Sequence, residues 1–293
     1  MMFKIHKKKI YLLFLITISS SAQIKGIVKD SITGKPISYV NISIENENFG
    51  ATSEENGEFS IHTSGKSKTL IFSALGFEKK KVKIAEASIV NLKPKEYQID
   101  EIVISKKIGT RTVEIGETNS EIYQAFDNGP KIVTKYFPYL AKYKKTKFIK
   151  QVVVSTDSQI DNAAIRIHFY GVDANGYPKE ELLDKDFIVS VNKGLKKTIF
   201  NVSEFNLRIP KNGIFVGFEK LIIEKNKTEK IIKDFNSNTS RTQITYYPFL
   251  LYNRVENEFL YTFSGGKWIR QENRDVADKN LVDEPAINLI LTN

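Results

Sequence analysis

Short runs of alternating apolar and polar residues, each ended within roughly ten residues by Gly, Pro or Asn, run from Ile24 to about Lys93 of this 293-residue chain and resume from about Lys131. A period of two suits a strand with one buried face. It does not suit a helix, which needs apolar residues every three or four positions. In "ISYVNISIE", Ile37, Tyr39, Asn41 and Ser43 share one face, while Val40, Ile42 and Ile44 share the other. "TLIFSALGF" is more continuously apolar, as expected of a strand covered on both faces. The pattern therefore predicts an all-β protein. Its 41% hydrophobic content supplies real cores, and its length suits about two domains.

The first residues, "MMFKIHKKKIYLLFLITISSSAQ", do not follow this pattern. Lys4, Lys7, Lys8 and Lys9 precede an apolar run from Ile10 to Ile18, and Ser20 and Ala22 then form an A-x-A-like cleavage signal. The run is shorter than the ~20 residues a membrane-spanning helix needs. A secretory signal over residues 1–22, cleaved before Gln23, is the expectation. No later segment is apolar enough to span a membrane, and the absence of cysteine excludes lipoprotein attachment. The mature chain is read as exported: periplasmic, outer-membrane-associated or secreted. It keeps 40 basic and 34 acidic residues, a mild formal +6, and no nucleic-acid signature, so nucleic acid is not an expected partner. Without disulfides, each domain must be held by core packing.

In "GATSEENGEFSI", Asn56-Gly57 between alternating runs signals a tight turn. A type I′ turn would need positive φ at both residues. The available carboxylates, Glu54, Glu55 and Glu58, lack the ordered set of about six oxygens that a calcium loop uses. Four motifs then fall in order: Gly26 to Asp30, Gly34 to Ile42, Thr52 to Phe59, and Gly76-Phe77. Together they resemble the carboxypeptidase-regulatory-like (transthyretin-like) domain, over about residues 24–93. The resemblance implies a prealbumin-like β-sandwich over 23–94 with no catalytic residues of its own. It also implies a setting in envelope proteins of Bacteroidetes-type bacteria. "YQIDEIVISKK" (97–107) extends the receptor-like pattern, but the remaining ~185 residues are too few for a large outer-membrane barrel.

Residues 95–130 read as a polar linker with a short helix near Ser120 to Phe126. From Lys131 onward about eight strand-like segments predict a second, larger β-sandwich over 131–293, jelly-roll-like in layout. This half resembles C-terminal regions found beside the same domain in similar envelope proteins, a likeness that names no activity. "KYKKTKFIK" reads as a lysine-rich strand edge that discourages edge pairing.

Chemistry-bearing motifs are sparse. His62 and His168 stand alone in alternating strands, without zinc-ligand spacing. There is no cysteine and no G-x-S-x-G elbow. Glu180-Glu181 and Asp184-Asp186 lie in one polar stretch and read as solvated surface. Asp173 and Asn175 in "VDANG" read as a turn. No catalytic residue, metal site or cofactor is expected.

The aromatic runs offer more. In "ITYYPFLLY" and "FLYTFSGGKW", Tyr247, Tyr261 and Trp268 are candidate ligand-binding residues, if they are not core. Trp268, beside the SGGK turn, is the first candidate for exposure. The expected function is non-catalytic binding or scaffolding that engages another envelope protein. The alternative is polysaccharide binding through these aromatics.

Overall fold

The computed structural model describes residues 23–47, 49–63, 67–95, 109–116, 122–124, 131–233, 239–256, 259–272 and 281–293. The expected signal (1–22) and the receptor-like segment (97–107) lie outside the described residues. Among those described, secondary structure consists of strands and four short 3-10 turns. The chain is all-β, as its periodicity predicts.

The first domain contains β1 (Gln23–Asp30), β2 (Asn41–Ile44), β3 (Gly50–Thr52), β4 (Glu58–His62), β5 (Thr69–Ser73), β6 (Lys80–Lys83) and β7 (Ile89–Leu92). A three-stranded sheet in the order β4-β1-β7 packs on a four-stranded sheet in the order β3-β2-β5-β6. Val28, Val40, Ile42, Phe59, Leu70, Phe72 and Leu92 fill the space between them. The turn at Asn56-Gly57 carries the chain from one sheet to the other, because β3 pairs with β2 whereas β4 pairs with β1. Only Gly57 has positive φ (78°), and its N–H donates to the Glu54 carbonyl at 2.9 Å. The turn thus closes at Gly57 without the doubly positive φ of type I′.

The second domain adds β8 (Thr112–Ile115), β9 (Ile122–Gln124), β10 (Ile132–Phe137), β11 (Phe148–Ser158), β12 (Ala163–Val172), β13 (Pro178–Glu181), β14 (Phe187–Val191) and β15 (Gly194–Asn201). It continues with β16 (Ile214–Lys220), β17 (Lys227–Lys233), β18 (Ser240–Tyr246), β19 (Phe249–Glu256), β20 (Phe259–Ser264), β21 (Lys267–Glu272), β22 (Leu281–Pro285) and β23 (Ile287–Thr292). A front sheet runs β13-β12-β16-β10-β20-β21, with β14 also on β12. A back sheet runs β22-β19-β11-β23-β8, with β15 on β11 and β9 on β19. Strands β17 and β18 form a separate ribbon. The chain passes repeatedly between front and back sheets, as a jelly-roll layout requires. Ile149, Val152, Val154, Ile165, Ile167, Phe169, Val216, Phe218, Ile287 and Leu289 form the core between the two.

Three local expectations change. Part of the stretch read as linker belongs to the second sandwich: β8 pairs with β23, and β9 pairs with β19 where a short helix was expected. Cross-strand pairing overrides local propensity there. The lysines of "KYKK" lie in a 3-10 turn (141–145) ahead of β11, not on a strand edge. "ITYYPFLLY" is two strands, β18 and β19, parting at the cis Tyr247–Pro248 bond.

The domains dock sheet to sheet. Asn41 and Ser43, the polar face of β2, are buried, and Ile71 of β5 packs against the β20–β21 turn. A Cβ at Gly266 would lie 2.7 Å from Ile71 Cδ1, and the φ of 82° there strains any other residue. Main-chain bonds reinforce it: Thr52 N–H donates to Ile222 O at 3.3 Å, and Ile222 N–H to Thr52 Oγ1 at 3.0 Å. The continuous apolar run of β5 is thus covered on one side by its own core and on the other by the second domain.

At Gly57 a Cβ would combine left-handed backbone with a 2.7 Å contact to the Val28 carbonyl, whereas at Gly34 (φ 68°) nothing lies within 4 Å. Gly34→Ala is expected to cost about 1–2 kcal/mol for the backbone alone. Gly57→Ala should cost clearly more, and urea unfolding of both variants checks the order.

Candidate functional site at the domain interface

Alternation along β12 sends Ile165, Ile167 and Phe169 into the core and Arg166, His168 and Tyr170 to the outer face, where the first domain sits. Strand register then selects their neighbours. Glu219 of β16 stands directly across from Arg166, and Gly217 across from His168. Gly217 lacks the side chain that would crowd His168 Cβ, the Ile132 methyl and the Tyr170 ring. Glu181 of β13 stands across from Tyr170 and reaches back to His168.

The result is a buried network. Arg166 Nη1 donates to Glu219 Oε2 at 3.0 Å, and Arg166 Nε lies 3.2 Å from Asp186 Oδ1. Arg166 Nη2 donates to the carbonyl of Tyr39 in the first domain. Tyr39 holds a left-handed φ of 55°, an uncommon conformation for an aromatic residue, and presents that carbonyl to the guanidinium. His168 Nδ1 lies 2.8 Å from Glu181 Oε2, and its Nε2 3.0 Å from Glu219 Oε2. Asn41 of the first domain donates Nδ2 to Glu219 Oε1 at 2.8 Å. Glu181 Oε1 accepts the Phe169 N–H at 2.6 Å. Glu219 is 0% exposed.

These contacts set the charges. Burial alone would depress His168, but hydrogen bonds to Glu181 and Glu219 overcome it and raise its pKa to about 9, so both ring nitrogens donate. Burial alone would raise Glu219, but Arg166, His168 and Asn41 bring it down to about 2. Tyr170, stacked on His168 with centroids 5.3 Å apart, is pushed well above the usual phenol range, first by burial and then by the glutamates.

Above this network lies a cavity of about 230 Å³, lined from both domains. Leu75, Phe77 and Lys79 come from the loop after β5, and Tyr170, Phe263 and Trp268 from the front sheet. Trp268 packs edge-on to Tyr170 at 5.1 Å and to Phe263 at 5.2 Å. Lys79 Nζ sits 5.2 Å from the Phe263 ring centroid and donates to Gly266 O at 2.8 Å, and its pKa is lowered by burial and then by Lys81. At the rim Lys95 meets Glu180 at 3.3 Å.

The structure separates the three candidate aromatics. Trp268 lines the cavity. Tyr261 is 1% exposed and packs among Tyr177, Phe215 and Phe259, and Tyr247 is 4% exposed against Phe249, so neither ring has a free face. His168 is packed as a core residue, yet ionised and paired. Glu181 belongs to the network under the cleft, whereas Glu180, Asp184 and Asp186 are exposed, as the sequence suggests, with Asp186 reaching Arg166 from the surface. Asp173 accepts the N–H groups of Asn175 and Tyr177 and so closes its own turn. The available signal for the network was the trio Arg166, His168 and Tyr170 on one face of a strand whose other face is wholly apolar.

Fold and site define a two-domain all-β chain whose domains share one ionic interface. Residues 24–104 match the family model of the CarboxypepD_reg-like domain, a regulatory and not a catalytic class of sandwich. No curated protein matches the chain. Among solved structures, that of infectious bursal disease virus Gx strain is 11% identical, with a TM-score of 0.25, over 87% of this chain and 60% of that one. Derived T=1 particles of infectious bursal virus give 10% identity and a TM-score of 0.23, over 92% and 61%. The chain thus spans about three fifths of the length of those chains, and similarity at this level carries no argument.

The paired groups imply a defined pH response. His168, raised from 6.5 to about 9, contributes stability that is complete below pH 6.5 and lost as pH rises through 9. Glu219, lowered from 4.5 to about 2, contributes stability that is complete above pH 4.5 and lost as pH falls toward 2. Thermal stability should therefore be highest between pH 4.5 and 6.5. The alkaline decline, on the order of 3 kcal/mol, should flatten in His168→Gln, as followed by melting temperature against pH.

Proposed function

We propose that this chain is an exported, non-catalytic binding protein of the cell envelope that engages another envelope protein through the cleft between its sandwiches. One observation carries the reading: the cleft exists only when both domains are docked, and its floor is a network in which the ionic groups are already matched. A catalytic base needs a free lone pair facing substrate. His168 has none, since both ring nitrogens point at carboxylates, and Glu219 is occupied by Arg166, His168 and Asn41. What the cleft offers a visitor is an apolar wall of Leu75, Phe77, Phe263 and Trp268 with Lys79 at its edge. That combination suits an apolar or aromatic side chain of a protein partner, anchored in a pocket with a polar rim. Polysaccharide binding is the second reading, favoured by the Trp268 indole in the cleft. It is the weaker one, since Tyr247 and Tyr261 present no stacking faces.

Residues 23–293, used as bait on detergent-solubilised envelope, should capture a defined protein. Trp268→Ala should weaken that capture at least tenfold while leaving the melting temperature within a few degrees. Equal capture by both forms removes the cleft from the interaction, and glycan without protein favours the second reading.

A further inference from the structure

A second buried ionic group lies on the opposite face of the front sheet, turned away from the cleft. Lys135 of β10 shares a face with Val133 and Phe137, which pack on the large core, so its side chain enters the space between front and back sheets. Lys135 is 3% exposed, and its Nζ stands 2.9 Å from Oε2 of Glu284 on β22. That is ion-pair distance without hydrogen-bond alignment. Glu284 stands directly across from Asn253 of β19, which is also buried. Residues directly opposite in an antiparallel pair place their side chains on one face, with Cβ atoms about 5 Å apart. Thr262, across from Val133 on β20, adds a buried hydroxyl without a hydrogen-bond partner. Lys135 Nζ thus meets the Glu284 carboxylate in a place closed to water, and the Asn253 carboxamide stands beside Glu284 on the same face of the back sheet. Lysine is seldom fully buried, and a plain ion pair there is a poor source of stability.

We propose that the chain joins Lys135 to Asn253 through an intramolecular amide bond, with Glu284 as the proton carrier. Glu284 takes a proton from the Lys135 ammonium, and the freed Nζ lone pair attacks Asn253 Cγ. The Nζ–Cγ bond forms as the carbonyl π pair moves onto Oδ1. As the π pair returns, the Cγ–Nδ2 bond breaks, and Glu284 hands its proton to the departing nitrogen. Ammonia leaves, carrying off the remaining proton of the original ammonium as ammonium ion. One amide replaces another, so no oxidant, cofactor or outside reagent is consumed. Burial supplies what makes so slow an exchange feasible: fixed proximity, worth an effective concentration of up to ~10⁵ M or more, and exclusion of water that would hydrolyse the intermediate. The bond ties the front sheet to the back sheet across a loop of about 118 residues. It is the covalent staple that an exported chain with no cysteine cannot make from disulfides.

Intact-mass measurement and a tryptic map of the purified full chain test this. The expected result is a mass below that of the sequence by one ammonia, with the peptides of Lys135 and Asn253 joined and no cleavage after Lys135. Lys135→Ala and Asn253→Ala should each abolish the joined pair, and Glu284→Gln should leave Lys135 and Asn253 in separate peptides. Linear peptides with normal cleavage after Lys135 in the natural chain overturn the proposal, whether or not the variants fold. Loss of ammonia located solely at a cyclised Gln23 overturns it equally, and a joined pair that survives in Glu284→Gln removes Glu284 from the chemistry.

Discussion

The carboxylate of Glu219 is the constraint on which the arrangement of the two domains depends. Moving an ionised carboxylate out of water costs several kcal/mol even in a relaxed protein interior, and only well-placed charges and donors offset that cost. Two partners, Arg166 and His168, come from the neighbouring strand of the same sheet. The third, Asn41, comes from the other domain, and so does the carbonyl of Tyr39 that takes up the Arg166 fork. The second sandwich therefore carries charges on its outer face whose pairing is completed only by the first. Burial of β2's polar face follows from the same need, since Asn41 must reach Glu219 there.

A buried network of this kind is better at fixing geometry than at adding stability. Replacing such groups by apolar ones is often neutral, but removing one partner leaves the others uncompensated at a cost of about 3–5 kcal/mol. The directional demand is what matters for the cleft. Arg166 makes contacts with Glu219, Asp186 and the Tyr39 carbonyl in a fixed fork, so the first domain cannot rotate on the front sheet without breaking one of them. Leu75, Phe77 and Lys79 are thereby held at a set distance from Phe263 and Trp268. Between domains joined by apolar contact alone, that spacing would be free to vary.

This explains why the fold was legible in the sequence and the site largely was not. Periodicity of two and turn residues are local, so the alternation of β2, β5 and β12 could be read directly. The polar face of β2 looks the same in sequence whether water or a second domain covers it. Arg166, His168 and Tyr170 mark one face of β12, but the groups that answer them are set by register: Glu219 is 53 residues from Arg166, and Asn41 is 178 from Glu219. Trp268 was readable because it flanks a Gly-Gly turn, which pushes a large ring to the surface. Tyr247 and Tyr261 could not be separated from it, because tertiary packing alone decides which ring is covered.

The two buried ionic clusters lie on opposite faces of one sheet and solve different problems. On the outer face, each nitrogen of His168 and each oxygen of Glu219 meets a partner, and this mutual matching leaves the imidazole and that carboxylate chemically quiet. On the inner face, a lysine and a glutamate meet at ion-pair distance without aligned hydrogen bonds, beside an amide and an unpaired hydroxyl. A matched set is a resting state, since any proton movement within it costs energy. The Lys135–Glu284 pair is held by the surrounding strands at a distance that permits proton transfer. If stability were the sole selective demand on that inner position, an aliphatic side chain at 135 would meet it as well, because Val133 and Phe137 on either side already pack on the core. The presence of Lys135 there, paired with Glu284, which stands across from Asn253 in register, is explained by chemistry that needs all three.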